Sequence, residues 1–160
     1  MANKSNKSFI ILLAEDDPDD VVLIRDAFNE NRFECKFLSV NDGEELLDYL
    51  YVRGKFYDPS LCPKPDLILL DLNMPKKDGR EALAEIKSDF TLKTLPIVVL
   101  TTSNSEVDIT RSYNLGANSY VTKPMSYSEL IKIIGIMGKY WFQTVKLPPL
   151  PVNHEYQNEL

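Results

Sequence analysis

Three acids, one hydroxyl and one amine stand at the ends of apolar runs. Glu15 and Asp16 follow the run Phe9 to Ala14, Asp71 follows Leu67-Ile68-Leu69-Leu70, Thr101 closes the run from Pro96, and Lys123 follows Ser119 to Thr122. Singly, each has an ordinary role, because an Asp after a strand is most often a turn or helix-cap residue and a lysine is usually a solvated charge. Together they describe phosphoryl chemistry. Three carboxylates in one cleft repel one another and raise each other's pKa values unless a cation sits between them. A hard divalent ion with oxygen ligands, most naturally Mg2+, relieves that repulsion. In such a site Asp71 would be the nucleophile, Lys123 would neutralise phosphoryl oxygens, and Thr101 would donate a hydrogen bond to one of them.

Convergence of these residues depends on the elements that carry them. Five β-rich runs, Phe9 to Ala14, Glu34 to Val40, Asp66 to Asp71, Pro96 to Thr101 and Ser119 to Thr122, alternate with five helical patterns. That alternation predicts an α/β fold with a parallel sheet covered by helices on both faces. Runs made almost wholly of Ile, Leu and Val suit strands buried on both sides. Open parallel sheets bind ligands beyond the carboxyl ends of their strands, where all five residues lie.

The helices have readable starts. Asp17 can cap the first, Pro18 suits its first position, and Asp19 and Asp20 favour the positive end of its dipole. The second follows Asn41-Asp42-Gly43, the third covers about Asp78 to Ser88, and the fourth runs from Glu106 to Leu115 with Gly116 as its stop. Ser126-Tyr127-Ser128-Glu129 reads as a capping box opening a last, unusually apolar helix that extends through Tyr140 and Trp141.

Composition narrows the function classes. A chain of 160 residues that is 44% hydrophobic suits one well-packed domain. The net charge of −6 offers no basic field for a nucleic-acid backbone. No apolar run approaches the roughly 20 residues of a membrane span, and the polar start Met1 to Ser8 does not read as a secretory signal. A cytoplasmic protein is expected. Cys35 and Cys62 have no metal-ligand or redox spacing and read as reduced thiols. Residues 1–8 read as a tail, 9–143 as the domain, 55–65 as an inserted loop, and 144–160 as a Pro-containing tail too short for an output domain. Its PxxP spacing is a weak signal.

In order along the chain, LLAEDDP, LLDLNMPKKDG, VVLTTS and NSYVTKP resemble the receiver domain of two-component response regulators, over about residues 8–143. The spacing of Asp71, Thr101 and Lys123 is also that family's. The resemblance implies a flavodoxin-like (βα)5 doubly wound sheet of order 2-1-3-4-5 and phosphotransfer from a histidine kinase to Asp71. It implies that Glu15 and Asp16 are the acidic pair for Mg2+, that Asn73 lends the metal a backbone carbonyl, that Thr101 and Tyr120 form a switch pair, and that Lys123 contacts phosphate. Lys123-Pro124 matches a bond that is usually cis in the family. Asp17 could replace Glu15 in the pair, but the helix start at Pro18 assigns it to the cap. Thr102 stands where the family often has Gly or Ala.

Within the family, the long loop before PDLILLDLN, the KKDGREALAEIKSD helix and the YWFQTVKLP ending resemble the small stand-alone regulators paired with cyanobacterial phytochrome kinases. The resemblance further implies a homodimer through the face made by the fourth helix, fifth strand and last helix. Two enzyme readings fail on chemistry. A haloacid-dehalogenase-type phosphatase needs an acid two residues after the nucleophile, where this chain has Asn73, and a kinase needs an ATP-binding Gly-rich loop, which is missing. His154, in the tail, is no plausible phosphohistidine. A receiver-like protein that only binds is a further alternative, which intact Asp71, Thr101 and Lys123 disfavour.

Overall fold

Strands β1 (Phe9–Ala14), β3 (Leu67–Leu70) and β4 (Ile97–Thr101) are apolar on both faces because both faces are covered. In the computed structural model, which describes residues 8–149, they form the middle of a five-stranded parallel sheet. β2 (Cys35–Val40) and β5 (Ser119–Thr122) are the edges, and the order is β2-β1-β3-β4-β5. This is the expected flavodoxin-like fold. Alternate residues of one strand feed opposite layers: Ile11, Leu13, Leu67 and Leu69 pack with helices α1 (Pro18–Glu30) and α5 (Tyr127–Gly138). Leu12, Ala14, Ile68 and Leu70 pack with α2 (Gly43–Tyr51) and α3 (Gly79–Ser88). Helix α4 (Glu106–Asn114) is mostly exposed, with only Ser112 fully buried.

Helix starts follow their caps. Asp17, Asp42, Asp78, Ser105 and Ser126 each accept a backbone N–H from the first turn of the helix they precede. Gly116 ends the fourth helical segment with φ of 106°, a conformation that a side chain would oppose. Glu34, Asp66, Asp71 and Pro96 flank their strands instead of belonging to them.

The last helix departs from expectation. Its α-helical part ends at Gly138, and Lys139–Thr144 continue as a wider π-helical turn. That turn places the Phe142 ring on Phe9, with 4.5 Å between centroids, and edge-on to Phe33. The aromatic cluster thus seals the start of β1, a tertiary contact that overrides the simple helical period.

The inserted loop is ordered. Two 3-10 turns, Gly54–Phe56 and Pro59–Leu61, fold it against α2, the Tyr49 hydroxyl donates to the Pro63 carbonyl at 2.7 Å, and Cys62 is buried. Both cysteines are free thiols. His154 and the Leu150 to Leu160 part of the Pro-containing tail lie outside the described residues.

Candidate functional site

Parallel register brings the strand-end residues together. β1 pairs with β3 so that Ala14 lies beside Leu70, and the next residues, Glu15 and Asp71, therefore emerge side by side, with Asp71 N–H donating to the Ala14 carbonyl at 3.0 Å. This is where strand order reverses, because the chain moves from β1 to the β2 edge and then back to β3 on the other side. Carboxylate oxygens of Glu15, Asp16 and Asp71 lie within 4.8 Å of one another. Glu15 and Asp71 are buried while Asp16 is exposed, so the cluster opens to solvent through Asp16.

Lys123 arrives from the other side. Its backbone N–H donates to the Thr101 carbonyl at 2.7 Å, extending the β4–β5 ladder. Its Nζ donates to Glu15 Oε2 at 2.5 Å and to Asp20 Oδ2 at 2.8 Å, and lies 3.5 Å from Asp71 Oδ2. Burial favours the neutral amine, but the hydrogen bonds to Asp20 and Glu15 and the charge of Asp71 outweigh it and push the Lys123 pKa up. Glu15 is driven the other way. Burial and the Asp71 charge, opposed by Lys123 and the Asp17 N–H, push its carboxyl up to about 7.

The fourth strand supplies a donor with nowhere to donate. Thr101 is fully buried, and its Oγ1 is the side-chain polar atom that, among the described residues, is buried without a hydrogen-bond partner. Tyr120, on β5, is half-buried and donates its hydroxyl to the Ser103 carbonyl at 2.8 Å. Asn73 is exposed in the loop after β3, and Thr102 is exposed after β4. Gly79 holds the Asp71 loop close to α3: its N–H donates to the Leu72 carbonyl at 2.9 Å, and a Cβ there would lie 2.1 Å from the Asp71 carbonyl oxygen.

One expectation is corrected. Lys123-Pro124 is trans, since no cis peptide bond occurs among the described residues. The cis form was implied by the resemblance alone; an X–Pro bond by itself favours trans by about 0.5–1 kcal/mol. Sequence reasoning also missed part of the site. Asp20, which by its position favours the helix dipole, is also a partner of Lys123, and the faint signal for this is its place in the first turn of the helix that follows Asp16.

A doubly wound sheet of this order, with a carboxylate cluster over its switch point and a largely buried lysine side chain beside it, defines a flavodoxin-like α/β domain with an acidic pocket. A family model described as the response regulator receiver domain matches residues 11–135, and the chain belongs to that family. Response regulator Rcp1 of Synechocystis sp. is 40% identical over 148 residues, covering 92% of this chain and 99% of its own. The solved structure of the phosphorylated cyanobacterial phytochrome response regulator RcpA is 45% identical, with a TM-score of 0.82, covering 89% of this chain and 99% of that one. The Mn2+-bound form of Rcp1 superposes with a TM-score of 0.80 over 88% of this chain and 99% of that one. No helix among the described residues is long and apolar enough to cross a membrane.

Proposed function

We propose that the chain is a phosphorylatable switch that accepts a phosphoryl group from a histidine kinase on Asp71, with Mg2+, and signals through the face formed by α4, β5 and α5. The observation that carries this reading is the unpartnered Thr101 hydroxyl on β4, the strand next to the one that Asp71 follows. Leaving a buried donor unpaired costs about 1–3 kcal/mol. A phosphoryl oxygen on Asp71 would satisfy it.

The donor set suits the metal, because three carboxylates with oxygen atoms within 4.8 Å are hard ligands that otherwise repel. Glu15, Asp16, Asp71 and the Asn73 carbonyl would hold Mg2+, whose charge would offset that of the phosphoryl oxygens. An Asp71 oxygen attacks phosphorus, forming a P–O bond as the P–N bond to the kinase histidine breaks, and the imidazole leaves with that electron pair. Lys123, held protonated by its acidic neighbours, acts as a fixed positive charge and not as an acid or base. Thr101 donates to the transferred group, and the loop after β4 follows it. Tyr120, tied to the Ser103 carbonyl, moves with that loop and remodels the α4–β5–α5 face. The same pocket later assists hydrolysis, so the chain speeds its own phosphorylation and dephosphorylation without being a turnover enzyme.

The likeness to RcpA, a cyanobacterial phytochrome response regulator, supports a phytochrome-linked histidine kinase as donor, in the cytoplasm. Exposed Val107 and Tyr113 on α4 favour a homodimer on the signalling face. Sedimentation showing a monomer at all concentrations, with and without a phosphate analogue, would remove the dimer from this reading. The switch itself is tested by intact mass after incubation with Mg2+ and acetyl phosphate. A single added phosphate that disappears in Asp71→Asn or without Mg2+ is expected; uptake that survives the substitution would place the acceptor elsewhere.

A further inference from the structure

A second charged network lies outside the carboxylate cluster. Arg80 donates through Nε at 3.0 Å and Nη2 at 2.7 Å to Asp108 Oδ1, and the Ser103 hydroxyl donates to Asp108 Oδ2 at 2.6 Å. The Arg80 and Asp108 side chains are only 16% and 18% exposed, so water and salt screen this pair far less than a pair such as Lys132–Glu129, at 70% and 56%. The Ser103 hydroxyl, and after it the Arg80 guanidinium, hold the Asp108 carboxyl below the usual carboxylate range.

Each member is anchored to a different part of the switch. Arg80 sits in the first turn of α3, directly after Gly79, whose backbone is pressed against Asp71. Asp108 sits in the first turn of α4. Ser103 is two residues after Thr101, and its carbonyl receives the Tyr120 hydroxyl. A continuous path therefore runs from the Asp71 backbone through α3, Arg80, Asp108 and Ser103 to both Thr101 and Tyr120. A plain staple between two helices would not involve Ser103. Here the second carboxylate oxygen accepts from Ser103, on the loop after β4 that follows Thr101.

We propose that Arg80 and Asp108 are positioning residues of the switch: their ion pair fixes the loop after β4 against the Asp71 loop, keeping Thr101 Oγ1 poised for a phosphoryl oxygen and Tyr120 tied to Ser103. The inference rests on the reading of Asp71 as phosphoacceptor. It assigns the pair no contact with phosphate or metal.

The test separates the two sides of the site by titrating wild type, Arg80→Met, Asp108→Ala and Arg80→Lys with Mg2+, and then with beryllofluoride at saturating Mg2+. Arg80→Met and Asp108→Ala should bind beryllofluoride about tenfold more weakly, the size of a coupling energy within one network, while Mg2+ affinity stays within about twofold. Arg80→Lys, which keeps the charge but loses the two-pronged donor, should fall between. Unchanged beryllofluoride affinity overturns the proposal. Equal loss of both affinities also overturns it, since that marks general loosening. Should Asp108→Ala fail to fold, the two Arg80 variants decide by the same criteria. Wild type that takes no beryllofluoride would refute the phosphoacceptor reading itself. The positioning role of the ion pair is then judged by the Thr101 methyl and Tyr120 ring resonances, which should shift in Arg80→Met; unshifted resonances would overturn it.

Discussion

Thr101 sets stability against function in a single atom. Its hydroxyl is buried with no partner, so Thr101→Val should raise stability by about 1 kcal/mol, or about 2–4 °C in melting temperature, while weakening phosphoryl uptake. Thermal unfolding checks the first half, and a fall in stability would mean that the hydroxyl is satisfied in solution. Lys123 gives the opposite case, because removing it leaves Glu15, Asp20 and Asp71 without their shared cation. Lys123→Met should cost about 3 kcal/mol in metal-free buffer, and added Mg2+ should recover part of that loss. Urea titrations with and without the ion measure both numbers; equal losses in the two buffers would contradict the shared-charge account. Glu15, Asp71, Thr101 and Lys123 were legible in the sequence because each ends or follows an apolar strand, and strand ends converge in a parallel sheet. Asp20 and Asp108 were not legible as partners. Each meets a cation from an element distant in the chain, and spacing alone does not say which faces will meet.

At the scale of elements, the site depends on how closely α3 approaches the end of β3. Gly79 allows that approach, since a Cβ would fall 2.1 Å from the Asp71 carbonyl oxygen, which cannot move aside as a flexible side chain could. Gly79→Ala should therefore destabilise the protein by about 3 kcal/mol and slow phosphorylation as well, through displacement of the Asp71 loop. Chemical denaturation together with the rate of acetyl phosphate uptake checks this; a variant with wild-type values in both would show that the loop has slack. Asp17 and Ser126 made the starts at Pro18 and Tyr127 readable as caps, and the structure adds Asp42 and Ser105 as the caps of the helices that begin at Gly43 and Glu106. The switch to a π-helical turn after Gly138 was not readable. It accompanies the packing of Phe142 on Phe9 and Phe33, rings that come together only in the folded chain. The inserted loop hid its order for a similar reason, because its anchor is the Tyr49 hydroxyl on the Pro63 carbonyl.

For the whole molecule, strand alternation pointed to a parallel sheet with helices on both faces, whereas the order 2-1-3-4-5 came only with the family resemblance, because βαβ units of one hand can wind five strands in more than one order. What the molecule presents to partners is a separate matter. Val107 is 75% exposed and touches no core, so Val107→Glu should change stability by less than about 0.5 kcal/mol. If α4 carries the dimer, the same substitution should weaken self-association in sedimentation equilibrium; association equal to wild type would remove α4 from that interface. On the proposed function, one carboxylate among several crowded ones receives the phosphoryl group. Reduction of the phosphorylated protein with borohydride converts an aspartyl phosphate to homoserine, and peptide mass spectrometry locates the converted residue. Conversion is expected at residue 71 alone, and only when Mg2+ was present during phosphorylation. Conversion at Asp16 or Asp20, or phosphorylated protein with no reducible acyl phosphate, would contradict it.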